Sequence, residues 1–302
     1  MATCRGIDVS AYQGTQDWAA HKRAGVVFAF AKASEGQSTH DPKFATHITG
    51  IIKAGLVPGA YHFAWPNQSA AKEAANYIAA VKPYAGRGFT HWLDLERYSD
   101  GRNYSGRTAT QIRAYVTTWI GAVQAAFPGQ RVGVYTSASD LAAGHVPAGV
   151  PLWYPAYPGT RVDTYAEAEA AAQPRPSGRT PLIWQFTSDP DGPARIDQSI
   201  AYMSAPAFRA WAAGEPTTKE TDDMDPIDVW AYKGKNEKQD AYAYLRGTNA
   251  AVKALTAQVG ALTATVSKLA QGGGLDAAEI KAAAEAGAQA ALDKLADALK
   301  EG

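Results

Sequence analysis

Two acidic residues stand two positions apart in the segment His91-Trp-Leu-Asp-Leu-Glu96. Alternation along a β-strand puts Asp94 and Glu96 on one face, with Cβ atoms about 6.5 Å apart. Two carboxyl groups at that separation repel each other when both are charged, so one tends to keep its proton at neutral pH. A protonated carboxyl beside a charged one suits general acid catalysis. The pair therefore indicates acid–base chemistry, and the alternative is two charges that reach water at a strand end.

Other acidic residues lie at the ends of further predicted strands. Asp8 ends the first strand, Glu35 ends the second, and Asp197 lies in the last. In a barrel of parallel strands, reactive side chains come from these carboxyl-terminal ends and from the loops after them. We therefore expect Asp8, Asp94, Glu96 and Asp197 at one rim, with Glu35 among the substrate contacts. For each acid, and most of all for Glu35, the alternative is a helix cap or a solvated loop residue.

Aromatic and amide side chains also gather at the predicted strand ends. Sugar rings present apolar C–H faces and polar edges, and aromatic rings with polar tips suit both. A single tyrosine or tryptophan is more often a core residue, so the interpretation depends on the set. The candidates for substrate contact are Tyr61, Tyr135, Trp153, Tyr157 and Gln185. The sequence has no His, Cys and acid cluster at metal-ligand spacing, and we expect neither a metal nor another cofactor.

Short apolar runs alternate with helical patterns over the first 214 residues. This alternation favours an α/β fold with a parallel sheet, and eight strands favour a closed TIM-like barrel with about five helices. The competitor is an open doubly wound sheet, which the absence of Gly-x-Gly-x-x-Gly after the first strand disfavours. The predicted strands are 6–10, 26–33, 57–63, 89–95, 131–135, 152–157, 182–186 and 196–201. The predicted helices are 17–24, 42–54, 69–81, 108–127 and a short one around 139–143.

Seven short motifs follow one another in this part of the chain. They are Gly6-Ile-Asp-Val-Ser10, Lys32-Ala-Ser-Glu-Gly36, Gly59-Ala-Tyr-His-Phe63, Leu93-Asp-Leu-Glu96, Trp153-Tyr-Pro-Ala-Tyr157, Trp184-Gln-Phe186 and Ile196-Asp197. In this order they resemble glycoside hydrolase family 25 lysozymes, over about residues 5–212. The chain departs from the family pattern at Ser34, where threonine is commoner, and after Asp197.

The resemblance implies a barrel of eight strands and about five helices. It also implies hydrolysis of the β-1,4 bond between N-acetylmuramic acid and N-acetylglucosamine in bacterial peptidoglycan. By the same resemblance Glu96 is the general acid, and Asp94 orients the N-acetyl group or stabilises the developing positive charge. Asp8 and Asp197 complete the acidic cluster. Whether the acetamido group or a carboxylate-activated water attacks the sugar stays open, since both schemes are known for glycosidases.

Two other functions fit parts of the same pattern. A chitinase-like barrel also places acids on its fourth strand, in an Asp-x-x-Asp-x-Asp-x-Glu series. Counting back from Glu96 gives Asp94 but then Trp92 and Phe89, so two of the acids are missing. The rival from another class is a peptidoglycan-binding module of a phage particle that does not cut its ligand. A pure binder has no reason to keep the whole acid set, which favours the enzyme.

Composition excludes several classes of protein. The 302 residues are 46% hydrophobic and 19% charged, with 29 basic against 29 acidic residues and the single cysteine Cys4, which we expect to be inert. A disordered chain, a collagen and a disulfide scaffold are therefore excluded. We expect no nucleic-acid binding without a basic stripe, and no stable membrane insertion without about 18 consecutive apolar residues.

The first residues lead directly into the first predicted strand, without the apolar stretch of a signal peptide. An enzyme of the wall that is made in the cytoplasm needs another protein to release it. The expectation is therefore a bacteriophage endolysin, made in the host cytoplasm and acting at the bacterial cell wall after release.

Residue usage changes near position 215. Seven of the eight tryptophans and all six histidines precede it. We predict a catalytic domain over 1–214, a linker over 215–228 and a helical region over 229–302. Valine and leucine alternate at steps of three and four within 245–270, a heptad typical of parallel two-stranded coiled coils. The heptad residues are Val252, Leu255, Val259, Leu262, Val266 and Leu269.

A second, alanine-rich helix is predicted over 276–300. Two interpretations of the tail stay open: a homo-oligomer formed through 245–270, or a helical hairpin that packs on itself or on the barrel.

Overall fold

The computed structural model describes residues 2–158, 162–188 and 196–215, together with single helical positions between 248 and 289. The chain divides into two compact units, Met1–Thr217 and Thr218–Gly302. Almost all of the predicted linker, from residue 216 to 228, lies outside the described residues, as does most of the predicted helical region. The first unit carries every candidate site residue.

Eight strands of the first unit close into a barrel, as predicted. They pair in the order β1-β9-β8-β7-β6-β5-β4-β2, and β1 pairs with β2 to complete the ring. A ninth strand, β3, was missed because its two residues form a short hairpin with the end of β2. The strands are β1 Cys4–Val9, β2 Val26–Glu35, β3 Thr39–His40, β4 Val57–Phe63, β5 Thr90–Leu95, β6 Arg131–Thr136, β7 Leu152–Pro155, β8 Ile183–Thr187 and β9 Asp197–Ala201.

The last strand corrects the expectation of a wholly parallel sheet. β9 runs antiparallel to both of its neighbours, β1 and β8. In this pairing Asp197 lies directly opposite Asp8. Because β9 is reversed, Asp197 comes from the start of its strand, whereas Asp8 comes near the end of β1. Both still reach the same rim of the barrel.

The described helices of the first unit include all five that were predicted. Local capping explains the agreement: the Ser69 side chain accepts from the N–H of Lys72, and Thr108 forms a capping box with Gln111. Two further short helices, α6 and α7, were missed, so "about five" was too low. The helices are α1 Trp18–Arg23, α2 Phe44–Ala54, α3 Ala70–Val81, α4 Ala109–Ala126, α5 Ala138–Ala142, α6 Tyr165–Ala170 and α7 Ala205–Ala212.

Large aromatic rings fill the inside of the barrel. Phe28 and Phe30 alternate along β2 and meet Trp92 of β5, 5.3 Å from Phe30 between ring centroids. Gly133 on β6 leaves room for the Trp92 ring, because a Cβ at that position would overlap it. Helix α7 closes the amino-terminal end of the barrel with Phe208, whose ring lies 4.7 Å from Phe28. The filled lower half leaves the upper rim as the place for a site.

The described positions of the second unit are helical, including all six heptad residues. Several of these keep exposed side chains, with exposed fractions of 48% for Val252, 51% for Val259 and 44% for Leu269. A Cβ at Gly287 would lie 3.2 Å from Leu262 Cδ2, so the two helical segments contact each other inside this unit. The coiled coil itself stays a prediction. Among the described helices, none has the length and apolar character of a membrane span.

Candidate active site

A groove at the carboxyl-terminal rim of the barrel brings together nine of the ten predicted site residues. Its cavity measures about 200 Å³. A larger cavity of about 570 Å³ lies at the opposite end, but no carboxyl group lines it. The rim groove is therefore the candidate active site. Its lining consists of Asp8, Tyr61, Asp94, Glu96, Tyr135, Trp153, Tyr157, Gln185 and Asp197.

Four of these residues are acids from three different parts of the barrel. Asp94 points inward near the end of β5, and Glu96 follows that strand by one residue. Asp8 and Asp197 face each other across the β1–β9 pair. The relative exposure is 4% for Asp8 and 6% for Asp94. Glu96 and Asp197 are half-buried. Four acids in so small a space cannot all be charged at neutral pH.

Burial is the main cause of the pKa shifts in this cluster. It raises the pKa of Asp94 well above the ordinary range, and the neighbouring Glu96 raises it further. Burial also raises the pKa of Glu96, helped by the charge of Asp140 on α5. The result is a groove in which at least one carboxyl group holds a proton at neutral pH, as a general acid must.

Asp8 and Asp197 form a second pair of interacting acids in the groove. Burial and the charge of Asp197 raise the pKa of Asp8 well above its usual value. Burial raises the pKa of Asp197 to about 6, against a hydrogen bond from Asp8 that lowers it. Asp8 and Asp197 therefore titrate as a coupled pair, which keeps a proton to higher pH than a carboxyl group in water does.

One carboxyl oxygen of Asp94 has no hydrogen-bond partner among the described residues. Its Oδ1 is buried and accepts no hydrogen bond from the described part of the chain. Buried polar atoms in folded proteins nearly always have partners, and those that do not are often functional. The backbone of the same residue is firmly held, because its carbonyl accepts from the N–H of Ala64. Asp94 is therefore fixed in place with one acceptor free among the described residues.

A series of hydrogen bonds between neutral side chains orients Asp8. The Gln185 amide donates to Asp8 Oδ2 at 2.8 Å, while its carbonyl oxygen accepts from Tyr135 Oη at 2.9 Å and from Tyr157 Oη. Burial raises the pKa of both tyrosines, so they stay neutral donors. Tyr157 is 50% exposed. Tyr157 thus extends the hydrogen-bond series from the buried Asp8 to the open side of the groove.

Trp153 and Tyr61 form the floor of the groove. The Trp153 ring is 2% exposed and lies 4.7 Å from the Tyr135 ring and 6.1 Å from the Tyr61 ring. Its indole N–H donates to Ser199 on β9. Its burial shows that Trp153 belongs to the packed barrel interior and supports the groove from below.

Glu35 lies outside this groove, in a neighbouring cleft with Trp65 and Gln68. Its Oε1 accepts from Trp65 Nε1 at 3.0 Å and from Tyr98 Oη at 2.9 Å, and its Oε2 accepts from Lys32 Nζ at 2.7 Å. Both carboxylate oxygens are thus engaged within the protein. The sequence analysis missed Lys32, although its alternation with Phe28 and Phe30 on the inner face of β2 signals a lysine that points into the barrel.

Neither a metal site nor a reactive thiol is found in the described part of the chain. No group of three or more His, Cys, Asp or Glu side chains there could hold a metal ion. Cys4 is buried, and burial raises the pKa of its thiol to about 12. A thiol with so high a pKa does not act as a nucleophile at neutral pH.

A barrel rim lined by carboxyl groups and aromatic rings is the arrangement of a glycosidase, and comparison with known families agrees. The sequence profile of glycosyl hydrolases family 25 matches residues 7–193. The chain belongs to glycosyl hydrolase family 25. The resemblance seen in the sequence is thereby confirmed, and the matched stretch of this family 25 chain includes every groove residue except Asp197.

Curated relatives and solved structures agree with the family. The chain is 37% identical over 145 residues to lysozyme M1 of Streptomyces globisporus, covering 45% of this chain and 47% of that protein. It is 34% identical over 122 residues to an N,O-diacetylmuramidase of Chalaropsis sp, covering 38% of this chain and 57% of that protein. The matched part thus spans about half the length of these family 25 relatives.

Among solved structures, a lysozyme from Streptomyces coelicolor superposes with a TM-score of 0.58 at 28% identity, covering 70% of this chain and 97% of that chain. A family 25 lysozyme from Aspergillus fumigatus has a TM-score of 0.57 at 24% identity, covering 70% of this chain and 99% of that one. The latter likeness is one of fold. Both cover only the barrel-sized part of the present chain.

Proposed function

We propose that the chain is a muramidase that hydrolyses the β-1,4 bond between N-acetylmuramic acid and N-acetylglucosamine in bacterial peptidoglycan. The observation that carries the proposal is the rim groove, where Glu96 has a raised pKa among three further acids. The relatives named lysozyme M1 and N,O-diacetylmuramidase support the substrate class.

Glu96 is the general acid in this proposal. Its proton passes to the glycosidic oxygen as the C1–O bond breaks, so the leaving sugar departs as a neutral alcohol. In a double displacement the Glu96 carboxylate then takes a proton from the water that opens the intermediate, which restores the acid. In a single displacement another carboxylate takes the water proton, and Glu96 regains its proton from solvent. A raised pKa keeps Glu96 protonated at the start of each cycle.

Asp94 assists the attack at C1. Its free Oδ1 is suited to accept the N–H of the acetamido group, and its charge stabilises the positive charge that develops on the sugar ring. Two routes are consistent with this role: attack by the acetamido oxygen, or attack by water that a carboxylate activates. The configuration of the first product, read by proton NMR of the anomeric centre, distinguishes a double displacement from a single one.

The test of the proposal is Glu96→Gln. We expect the rate of clearing of a peptidoglycan suspension to fall about 10³-fold, because the amide cannot donate the required proton. Glu169→Gln is the matched control, since that glutamate lies at the surface in an ion pair with Arg5. Both variants should keep the wild-type circular dichroism and sediment with insoluble peptidoglycan.

The rival proposal, a peptidoglycan-binding module, predicts a different result. In that case the wild-type chain binds peptidoglycan but releases no reducing ends, and Glu96→Gln changes nothing. Unchanged clearing by Glu96→Gln would equally remove the assignment of the general acid. The buried, proton-holding acids favour the enzyme, because a binder gains no stability from a cluster of mutually repelling carboxyl groups.

For the second unit we propose self-association with a second copy of the chain. The heptad residues are helical and Val252, Val259 and Leu269 leave apolar surface exposed. A heptad with valine at one core position and leucine at the other favours a parallel two-stranded coiled coil. We expect Val259→Glu to lower the molar mass of the full-length chain measured by light scattering. The control is Ser267→Glu on the same helix, and equal masses for all three proteins would contradict the proposal.

The assignment as a phage endolysin stays a prediction of the sequence analysis. It predicts that expression of the chain inside bacteria lyses them only when a membrane-perforating protein is expressed as well. Export of the chain by intact cells through its own amino terminus would count against it.

A further inference from the structure

A half-buried lysine lies beside the acidic groove without being part of its lining. Lys32 is on the inner face of β2, in alternation with Phe28 and Phe30. Its side chain is 18% exposed, and its ammonium lies 5.0 Å from the centre of the Phe63 ring. Phe63 is the residue of β4 that pairs in register with Asp94 on β5. The ammonium is therefore separated from the acids by a single strand.

Glu35 fixes the position of this ammonium. The Lys32–Glu35 distance is 2.7 Å, and Trp65 and Tyr98 hold the other carboxylate oxygen. Burial raises the pKa of Glu35, but the bond and charge of Lys32 outweigh it and leave the pKa below its ordinary value. Burial lowers the pKa of Lys32, and Glu35 and Asp94 more than restore it. Both partners therefore stay charged across the working pH range.

The two ends of the ion pair lie in different places: Glu35 lines the neighbouring cleft, whereas the Lys32 ammonium lies over the ring of Phe63, the residue in register with Asp94. For Asp94 the charge of Lys32 has a larger effect than the opposite charge of Glu35. For Glu96 the charge of Lys32 also lowers the pKa, against burial and Asp140. An oriented pair of this kind acts on its neighbours although its net charge is zero.

Apart from Lys32 and Arg97, the ionisable groups around Asp94 and Glu96 are acids and neutral phenols. Arg97 follows Glu96 but is exposed, with its guanidinium 5.0 Å from the centre of the Tyr104 ring. Lys32 is the cation whose charge lowers the pKa of both Asp94 and Glu96. The facing groups are Asp8 on β1, Tyr61 on β4, Tyr135 on β6, Asp140 on α5, Tyr157 after β7 and Asp197 on β9.

We propose that Lys32, held by Glu35, is a positioning residue that sets the pH range in which the Asp94–Glu96 pair carries one proton and one negative charge. This inference rests on the muramidase proposal for its role in catalysis. Lys32 does not touch the substrate in this scheme. It acts through the two carboxyl groups, and Glu35, Trp65 and Tyr98 act through Lys32.

The test compares variants that break the same bond with opposite electrostatic effects. Lys32→Met removes a positive charge, so both limbs of the pH profile of kcat/KM should move to higher pH by about one unit. Glu35→Gln removes a negative charge, so both limbs should move slightly to lower pH. Lys32→Arg keeps the charge and should keep the limbs at wild-type pH, even if kcat falls.

The directions in which the limbs of the pH profile move test the inference. A structural role for the ion pair predicts that Lys32→Met and Glu35→Gln lower kcat alike and leave both limbs in place, or move them in the same direction. Either result would overturn the proposal. Opposite shifts, with Lys32→Arg like the wild type, would support it.

A second measurement separates this inference from the muramidase proposal. The carboxyl groups of protein labelled with ¹³C at aspartate and glutamate side chains are titrated by NMR, without substrate. The Asp94 and Glu96 resonances, assigned by Asp94→Asn and Glu96→Gln, should titrate at higher pH in Lys32→Met. If the wild type cleaves no peptidoglycan, the muramidase proposal fails, while this titration still supports or overturns the effect of Lys32.

Discussion

Two buried carboxyl groups of this barrel lie in opposite surroundings. Glu73, on α3, is fully buried, and its Oε2 accepts from His62 Nε2 at 2.9 Å, from the Trp65 N–H at 3.0 Å and from Tyr115 Oη at 2.6 Å. Asp94, 6% exposed, is surrounded by other acids. Each acid has one buried oxygen without a hydrogen-bond partner among the described residues, Glu73 Oε1 and Asp94 Oδ1. The difference is that three donors hold the other oxygen of Glu73, whereas the charge of Glu96 acts against the charge of Asp94.

The difference separates a structural acid from a functional one. Ser34, His62 and Glu73 form a hydrogen-bonded series that looks like a catalytic triad, with Ser34 Oγ 2.8 Å from His62 Nδ1. All three side chains have zero exposure, so no substrate reaches them. Burial lowers the pKa of His62 and keeps it neutral despite Glu73. A position on the groove and like-charged neighbours, rather than the residue types, distinguish the acids of the site.

The sharpest test of this contrast is activity. Asp94→Asn should lower kcat about 10²-fold, because a neutral amide cannot stabilise the positive charge on the sugar. Glu73→Gln should leave kcat close to the wild-type value at a temperature where the variant is folded. Steady-state release of reducing ends from peptidoglycan measures both. A large fall in kcat for Glu73→Gln would mean that the buried series reaches the catalytic groups.

Stability should show the reverse order. Glu73→Gln replaces a charged acceptor of three hydrogen bonds by a neutral one and buries an amide NH₂ without an acceptor. We expect the free energy of unfolding to fall by about 2 kcal/mol. Urea unfolding followed by tryptophan fluorescence measures it. Asp17→Asn is a suitable control, because that acid caps α1 at the surface; an equal loss there would contradict a special role for Glu73.

Asp94→Asn should instead stabilise the barrel at neutral pH. It removes an acid whose ionisation the buried cluster opposes, and such functional residues commonly reduce stability. The expected gain is about 1 kcal/mol in the same urea experiment. A loss of stability would show that Asp94 is held by favourable contacts, and the contrast with Glu73 would fail.

Local sequence signals predicted most of the barrel. Strand β4 was predicted with its exact bounds, and helices α3 and α4 begin at the caps Ser69 and Thr108 that were visible in the sequence. Helix α7 was missed because it is short and contains Pro206, and its role as a plug depends on packing Phe208 into the barrel. The reversed direction of β9 is set by pairing with strands far away in the chain, which no local pattern reveals.

The four acids of the groove could be predicted from the sequence, but the partners of Glu35 could not. Asp94 and Glu96 share a face of one strand, so their spacing alone indicated an interaction. The partners of Glu35 are Trp65 and Tyr98, 30 and 63 residues away in the sequence. Glu35 therefore looked like a substrate contact, whereas its bonds within the protein became visible only in the folded chain.

The pH dependence of these stabilities is the finest test of the comparison. The unfolded chain loses the Asp94 proton near pH 4, while burial keeps it bound to higher pH in the folded barrel. Stability from this group therefore falls as pH rises from about 4 through the folded pKa. The melting-temperature gain of Asp94→Asn should accordingly be near zero at pH 4 and grow toward pH 7.

Glu35 has a lowered pKa, so its contribution to the stability of the folded barrel is present above about pH 4 and lost below it. The melting-temperature deficit of Glu35→Gln should hence shrink as pH falls, and a pH-independent difference in either variant would assign its effect to packing instead of charge.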